Sequence, residues 1–137
     1  MVEKIKVLVV DDAAFMVKAL TEMLASDPQI EVIGSAKNGR DALDKIKKLS
    51  PDVITLDVDM PVMDGISAAK FIRNIESQKG MPHLPIAFFS SVKADDNLRE
   101  ALMELSPANY VNKASDPDPD KLVERVEQLL LFFKQLR

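Results

Sequence analysis

Val53-Ile54-Thr55-Leu56-Asp57-Val58-Asp59-Met60-Pro61-Val62-Met63-Asp64-Gly65 carries an apolar, β-branched run into a carboxylate and then into a proline- and glycine-bearing loop. Residues 52–56 read as a buried strand, and Asp57 sits where that strand emerges. Asp64 is placed to cap a helix bearing Ile66, Ala69, Phe71, Ile72 and Ile75. A second strand, Lys4 to Val10, ends in the acidic pair Asp11-Asp12. If these two strands are parallel neighbours, three carboxylates converge at one edge of the sheet. Such a cluster is costly unless a cation joins it.

The rest of the chain repeats the strand-then-helix rhythm. Phe15, Met16, Ala19, Leu20, Met23 and Leu24 recur at helical spacing until Asp27-Pro28. Ile30 to Ala36 reads as a strand. Asn38 caps a helix carrying Ala42, Leu43, Ile46 and Leu49, which Ser50-Pro51 breaks. Gly80 to Pro85 is a loop, Ile86 to Phe89 a strand ending at Ser90-Ser91, and 94–105 a helix. Ala108 to Asn112 is a short strand ending at Lys113. Asp116-Pro117-Asp118-Pro119 is a stiff loop, and 120–136 forms the last helix.

Five strands alternating with five helices predict an α/β fold, a doubly wound parallel sheet with helices on both faces. Ligands of such sheets gather beyond the carboxyl ends of the strands. Asp11, Asp12, Asp57, Ser90 and Lys113 all lie there, from four different strands. Each alone is ordinary loop or surface chemistry; their convergence on one rim is the argument. We read residues 1–137 as a single domain, with its core over about residues 4–130.

Composition narrows the function. The chain has 137 residues, 47% hydrophobic and 29% charged, with a net charge of −4. Nothing supplies the basic face that nucleic acid requires. There is no cysteine, which excludes disulfides and thiolate sites. The longest apolar run, Leu129 to Phe133, is far too short to span a bilayer, and no basic-then-apolar signal opens the chain. A cytoplasmic address is the expectation.

The rim residues suit phosphoryl transfer. Magnesium prefers oxygen ligands and takes one or two carboxylates. Asp12 and Asp57 are candidate ligands, with Asp11 alongside and the carbonyl of Asp59 pointing back to the same ion. Asp57 is also a candidate nucleophile, since carboxylates form aspartyl phosphates. The Lys113 ammonium and the Ser90 hydroxyl are suited to the phosphoryl oxygens.

These residues resemble a response-regulator receiver domain of two-component signalling. The resemblance covers about residues 4–130. It rests on Asp11-Asp12, on Leu56-Asp57 with Met60-Pro61-Val62-Met63-Asp64-Gly65, on Ser90, and on Tyr110-Val111-Asn112-Lys113. It implies the flavodoxin-like strand order 2-1-3-4-5. It implies Asp57 as phosphoacceptor, with Asp11, Asp12 and the Asp59 carbonyl holding Mg2+. Ser90 and Lys113 would engage the phosphoryl group, and Tyr110 would turn inward as the switch operates. The implied donor is a histidine kinase or phosphotransfer domain, and the implied output face is helix four, strand five and helix five. Such a domain is a phosphoacceptor that assists its own phosphorylation and dephosphorylation, not an enzyme with outside substrates. Val9-Val10-Asp11-Asp12-Ala13-Ala14-Phe15-Met16 and Ser90-Ser91 are most similar to chemotaxis receivers linked to methylesterases. The listener is then a downstream effector or an output domain missing from this chain.

Three departures stand out. Ala14 is preceded by Ala13 where that group has serine. Ala114 follows Lys113 where receivers have proline on a cis bond. Pro107 precedes Ala108 where glycine is common. The last helix carries Leu122, Val126, Leu129, Leu130, Phe132, Phe133 and Leu136 on one broad stripe, with Leu131 facing away. Core packing accounts for much of this, and a homodimer contact is the other use. Two rival functions remain. Asp57-Val58-Asp59 resembles the Asp-x-Asp of haloacid-dehalogenase-like phosphatases, though theirs opens the chain on the first strand. A pseudo-receiver that binds partners without phosphorylation is the second.

Overall fold

The computed structural model describes residues 4–135. The elements run β1 (Ile5–Val10), α1 (Ala14–Ala25), β2 (Ile30–Ala36), α2 (Gly39–Leu49), β3 (Val53–Leu56), α3 (Gly65–Lys79), β4 (Ile86–Ser90), α4 (Asp96–Glu104), β5 (Ala108–Asn112) and α5 (Pro119–Gln135). The five strands form one parallel sheet in the order β2-β1-β3-β4-β5, as the resemblance implies. Strands β3 and β4 are buried throughout. Parallel strands covered on both faces read as continuous apolar runs, which is how they are written here.

Two apolar layers flank the sheet. On one face Leu20 and Leu24 of α1 and Leu122, Val126, Leu130 and Phe133 of α5 pack on Val7, Val9 and Phe89. On the other, Ala42, Ala69, Ile72 and Leu105 pack on Leu8, Val10, Ile54, Leu56 and Phe88. The side chains of Asn38, Asp64 and Asp95 cap α2, α3 and α4, each accepting an amide hydrogen three residues on. Gly80 closes α3 with φ +64°, a left-handed turn that glycine adopts at little cost.

Several boundaries and faces differ from the sequence reading. Strand β3 begins at Val53, because the Asp52 side chain accepts the Lys6 amide at 2.8 Å. Ser90 is the last residue of β4. Helix α4 begins at Asp96, two residues later than expected, since Asp95 is its cap. Helix α5 begins at Pro119, and Leu136 lies outside the described residues. Phe15, Phe71 and Phe132 are 74%, 52% and 52% exposed instead of facing the core. For Phe132 the cause is topological. Strand β5 is the sheet's edge, so the far side of the α5 stripe overhangs Asn109, Tyr110 and Val111 instead of meeting another strand. The cis bond among the described residues is Ser106–Pro107, and Lys113–Ala114 is trans.

Candidate functional site

Three of the site residues, Asp11, Asp57 and Lys113, are fixed just past their strand ends by backbone ties. The Asp11 amide donates to Ala36 at 3.0 Å, the Asp57 amide to Val10 at 3.0 Å, and the Lys113 amide to Ser90 at 2.9 Å. These bonds continue the strand pairing one residue further and aim the side chains over the same rim. Asp11 is 2% exposed and Asp57 is 5% exposed, while Asp12 stands in solvent. One carboxylate oxygen from each of Asp11, Asp12 and Asp57 lies within 4.8 Å of the others. That donor set, all hard oxygen and partly open to water, fits Mg2+.

Lys113 occupies the centre. Its Nζ donates to Asp11 Oδ2 at 2.6 Å and to Asp57 Oδ2 at 3.3 Å. The same ammonium stands 5.5 Å over the ring of buried Phe89, an attractive arrangement for a cation. The sequence reading missed Phe89. Its role depends on strand β4 placing residue 89 one row from the lysine, which no local pattern reveals.

Asp59 is exposed, and its amide donates to Asp57 Oδ1 at 3.3 Å. The sequence reading assigned its carbonyl to the metal. Ser90 is fully buried, and its Oγ accepts the Val92 amide at 3.4 Å. The Tyr110 hydroxyl donates to the Ser90 carbonyl at 3.1 Å and to the Val92 carbonyl. Tyr110 is thus already tied to the turn after β4. Burial pushes its phenol above the ordinary value, with the charge of Asp57 adding to the rise, so it stays a donor at neutral pH.

The loop after Asp57 stores strain at one residue. Val62 has φ +68°, is 82% exposed, and is spanned by a Met63 amide to Pro61 carbonyl bond of 2.7 Å. A β-branched residue is a poor occupant of that left-handed turn. Val62→Asn is expected to raise stability by about 1 kcal/mol, read from urea unfolding; an unchanged midpoint would count against strain there.

Burial raises the Asp11 carboxyl above its ordinary range. Hydrogen bonds from Lys113 and the Ala13 amide oppose the rise, and the charge of Asp57 reinforces it. A raised folded-state value means stability that is present at acid pH and lost as pH rises through that value. Asp11→Asn is therefore expected to stabilise the metal-free protein near pH 7 by about 1 kcal/mol. The gain should vanish below about pH 4, where the wild-type carboxyl is protonated in both states. Lys113 keeps Asp57 and Phe89 as partners in that variant. Thermal melts in chelator across this pH range provide the check, and a variant less stable at pH 7 contradicts it.

The comparisons with known proteins agree with this geometry. Residues 7–127 match the response regulator receiver domain family. A protein-glutamate methylesterase/protein-glutamine glutaminase of Halalkalibacterium halodurans is 47% identical over 131 residues, covering 96% of this chain and 36% of that protein. The chain thus spans about a third of the length of the curated relatives it matches. Among solved structures, the response regulator domain of Thermotoga maritima CheB is similar with a TM-score of 0.76 and 32% identity, covering 97% of this chain and 96% of that one. A CheX-CheY-BeF3-Mg complex from Borrelia burgdorferi contains a chain similar with a TM-score of 0.73 and 28% identity, covering 93% of this chain and 90% of that one. A parallel sheet in the order 2-1-3-4-5, with an acidic rim after β1 and β3, makes the same assignment as these matches: the chain belongs to the response regulator receiver domains of two-component signalling, and its relatives are of the CheB chemotaxis type.

Proposed function

We propose that this chain is a phosphorylation-controlled switch in which Asp57 accepts a phosphoryl group from a histidine kinase or phosphotransfer domain. The observation that carries the reading is the placement of Asp57: a nearly buried carboxylate facing two further acids and a lysine ammonium 3.3 Å away. An Asp57 oxygen forms the new P–O bond as the P–N bond to the donor imidazole breaks. The imidazole leaves with the electron pair of that bond and takes up a proton. Asp11, Asp12, Asp57 and the Asp59 carbonyl would hold Mg2+, which when bound neutralises charge on the transferred group. The presence of Mg2+ and a phosphoryl mimic in the related Borrelia burgdorferi complex supports this choice.

The product carries nearly two added negative charges. Lys113, already beside Asp57, shifts from Asp11 to a phosphoryl oxygen. Ser90 turns its hydroxyl from the Val92 amide toward the same group, drawing the turn after β4 inward. Tyr110 feels this directly, because its hydroxyl is bonded to the carbonyls of Ser90 and Val92. Tyr110 also lines the cleft between β5 and α5, with Leu129 and exposed Phe132. The α4-β5-α5 face is accordingly the output surface. Its listener is a separate effector or an output domain, as the methylesterase relatives suggest. No helix among the described residues is long and apolar enough to cross a membrane; a cytoplasmic signalling role and a single domain over residues 1–137 complete the reading.

The experiment is chemical. The chain is incubated with acetyl phosphate and Mg2+, then mapped by mass spectrometry. One phosphoryl group is expected on Asp57, with none on the Asp57→Asn variant and little when metal is chelated. A wild-type chain that remains unmodified, or is modified elsewhere, defeats the proposal.

A further inference from the structure

Past Lys113 the chain leaves the sheet with little in its own backbone to hold it. Ala114 leaves φ free where a proline would fix it, and both Ala114 and Ser115 are exposed. One backbone bond and two side chains supply the constraint. Asn112 Oδ1 accepts the Ala114 amide at 2.8 Å. The Asn112 carbonyl accepts the Ser115 amide at 3.0 Å and the Ser115 hydroxyl at 2.7 Å. Together these close a tight turn directly after the lysine.

That turn is then tied to helix α5. Arg125 Nη1 donates to Ser115 Oγ at 2.7 Å, and Arg125 Nη2 stands 3.6 Å from Asp116 Oδ2. Ser115 Oγ is thus a relay, accepting from Arg125 and donating to the Asn112 carbonyl. Arg125 is itself well anchored, since the next residue, Val126, is fully buried in the core. The guanidinium fork spans two acceptors at once, which a point-charge ammonium does less well.

We propose that Arg125 is a positioning residue for Lys113: by fixing Ser115 and Asp116 it holds the 113–116 turn, and with it the lysine ammonium over Asp57. The inference rests on the phosphoacceptor reading, because its effect is read at Asp57. Arg125 is about half-exposed, so its ion pair adds little to stability. Its contribution is geometric. Lys113 reaches its site on a flexible four-carbon stem, and a loosened turn lets the ammonium wander from a position on which phosphoryl transfer depends.

The test compares the rates of Asp57 phosphorylation by acetyl phosphate and Mg2+ in wild type, Arg125→Met, Arg125→Lys, Lys113→Ala and the Lys113→Ala/Arg125→Met double variant. Arg125→Met should be slower by about tenfold, with an unchanged thermal midpoint. Arg125→Lys, which retains a donor for Ser115, should recover most of the rate. In the Lys113→Ala background the arginine change should cost nothing further, because the residue it positions is gone. Equal rates in wild type and Arg125→Met overturn the inference, as do losses that multiply in the double variant. Failure of the wild type to react overturns the phosphoacceptor reading and this inference with it; a reactive wild type matched by Arg125→Met removes the inference alone.

Discussion

Gly65→Ala is expected to slow phosphorylation of Asp57 by about a hundredfold while leaving the protein folded. A Cβ on Gly65 would stand 2.1 Å from the Asp57 carbonyl oxygen, 2.9 Å from its carbonyl carbon and 3.0 Å from the Val58 Cα. All three are backbone atoms, so no side chain can swing aside. Contacts under 3.0 Å are essentially absent for real Cβ atoms, so the backbone must part by roughly 0.9 Å, the difference between 3.0 and 2.1 Å. Asp57 cannot yield freely. Its amide is tied to Val10 and the Gly65 amide donates to the Val58 carbonyl at 2.8 Å, so displacement is passed to the carboxylate. Misplacing a reacting group by about 1 Å costs on the order of a hundredfold. The overpacking itself costs about 1–3 kcal/mol, which a domain of this size survives. Acetyl phosphate kinetics provide the measurement, with circular dichroism confirming the fold. A folded variant reacting within twofold of wild type shows that the close approach of Gly65 does not govern the site.

The glycine was visible in the sequence as part of the Asp57–Gly65 stretch, but the reason for it was not. What the sequence carried well was whatever repeats with a fixed period. The strands at 30–36 and 108–112 were legible to the residue, and the first to within one, because short apolar segments stand between helical patterns and end at polar residues or small loops. The meeting of Asp11, Asp12 and Asp57 was legible because a parallel sheet puts its strand ends on one rim. Helix faces were less so. Periodicity gives the width of an apolar stripe but not which edge of it meets the sheet, and hence Phe71 and Phe132 were placed inward. Contacts across strands or between a loop and a helix were invisible. Phe89 meets Lys113 only through the pairing of Ser90 with Asn112, and Arg125 meets Ser115 across ten residues of loop and helix. Nothing local marks such pairs.

The same limit hid the ion pair at the opposite end of the sheet, where Arg73→Met is expected to cost about 3–5 kcal/mol. Arg73 and Glu76 are spaced i,i+3 on α3, a pattern that normally reads as a solvated helix surface. Here they are 8% and 5% exposed and 2.8 Å apart. The burial comes from two segments folding over them. Arg73 Nε donates to the Leu105 carbonyl at 2.9 Å and Nη2 to the Pro107 carbonyl at 3.3 Å. Glu76 Oε2 accepts the Leu84 amide at 2.6 Å. One side-chain pair thereby pins the approaches to β4 and β5, the strands that end in Ser90 and Lys113. Removing the guanidinium strands the Glu76 carboxylate in a nearly dry site and takes from the Leu105 carbonyl its side-chain donor, while Pro107 keeps only the Ile86 amide, which is why the loss far exceeds that of an exposed pair. Glu76→Gln in the same background relieves the stranded charge while keeping an acceptor for Leu84, so Arg73→Met/Glu76→Gln should regain about half of the loss. Urea unfolding of the wild type, Arg73→Met, Glu76→Gln and the double variant gives the comparison. A single-variant cost below about 1 kcal/mol would mean that the pair behaves as a surface ion pair despite its burial. The expected result would assign the two ends of the sheet different tasks: the carboxyl end spends stability on crowded acids and a strained loop, and the amino end restores it through a buried pair that keeps β4 and β5 in register.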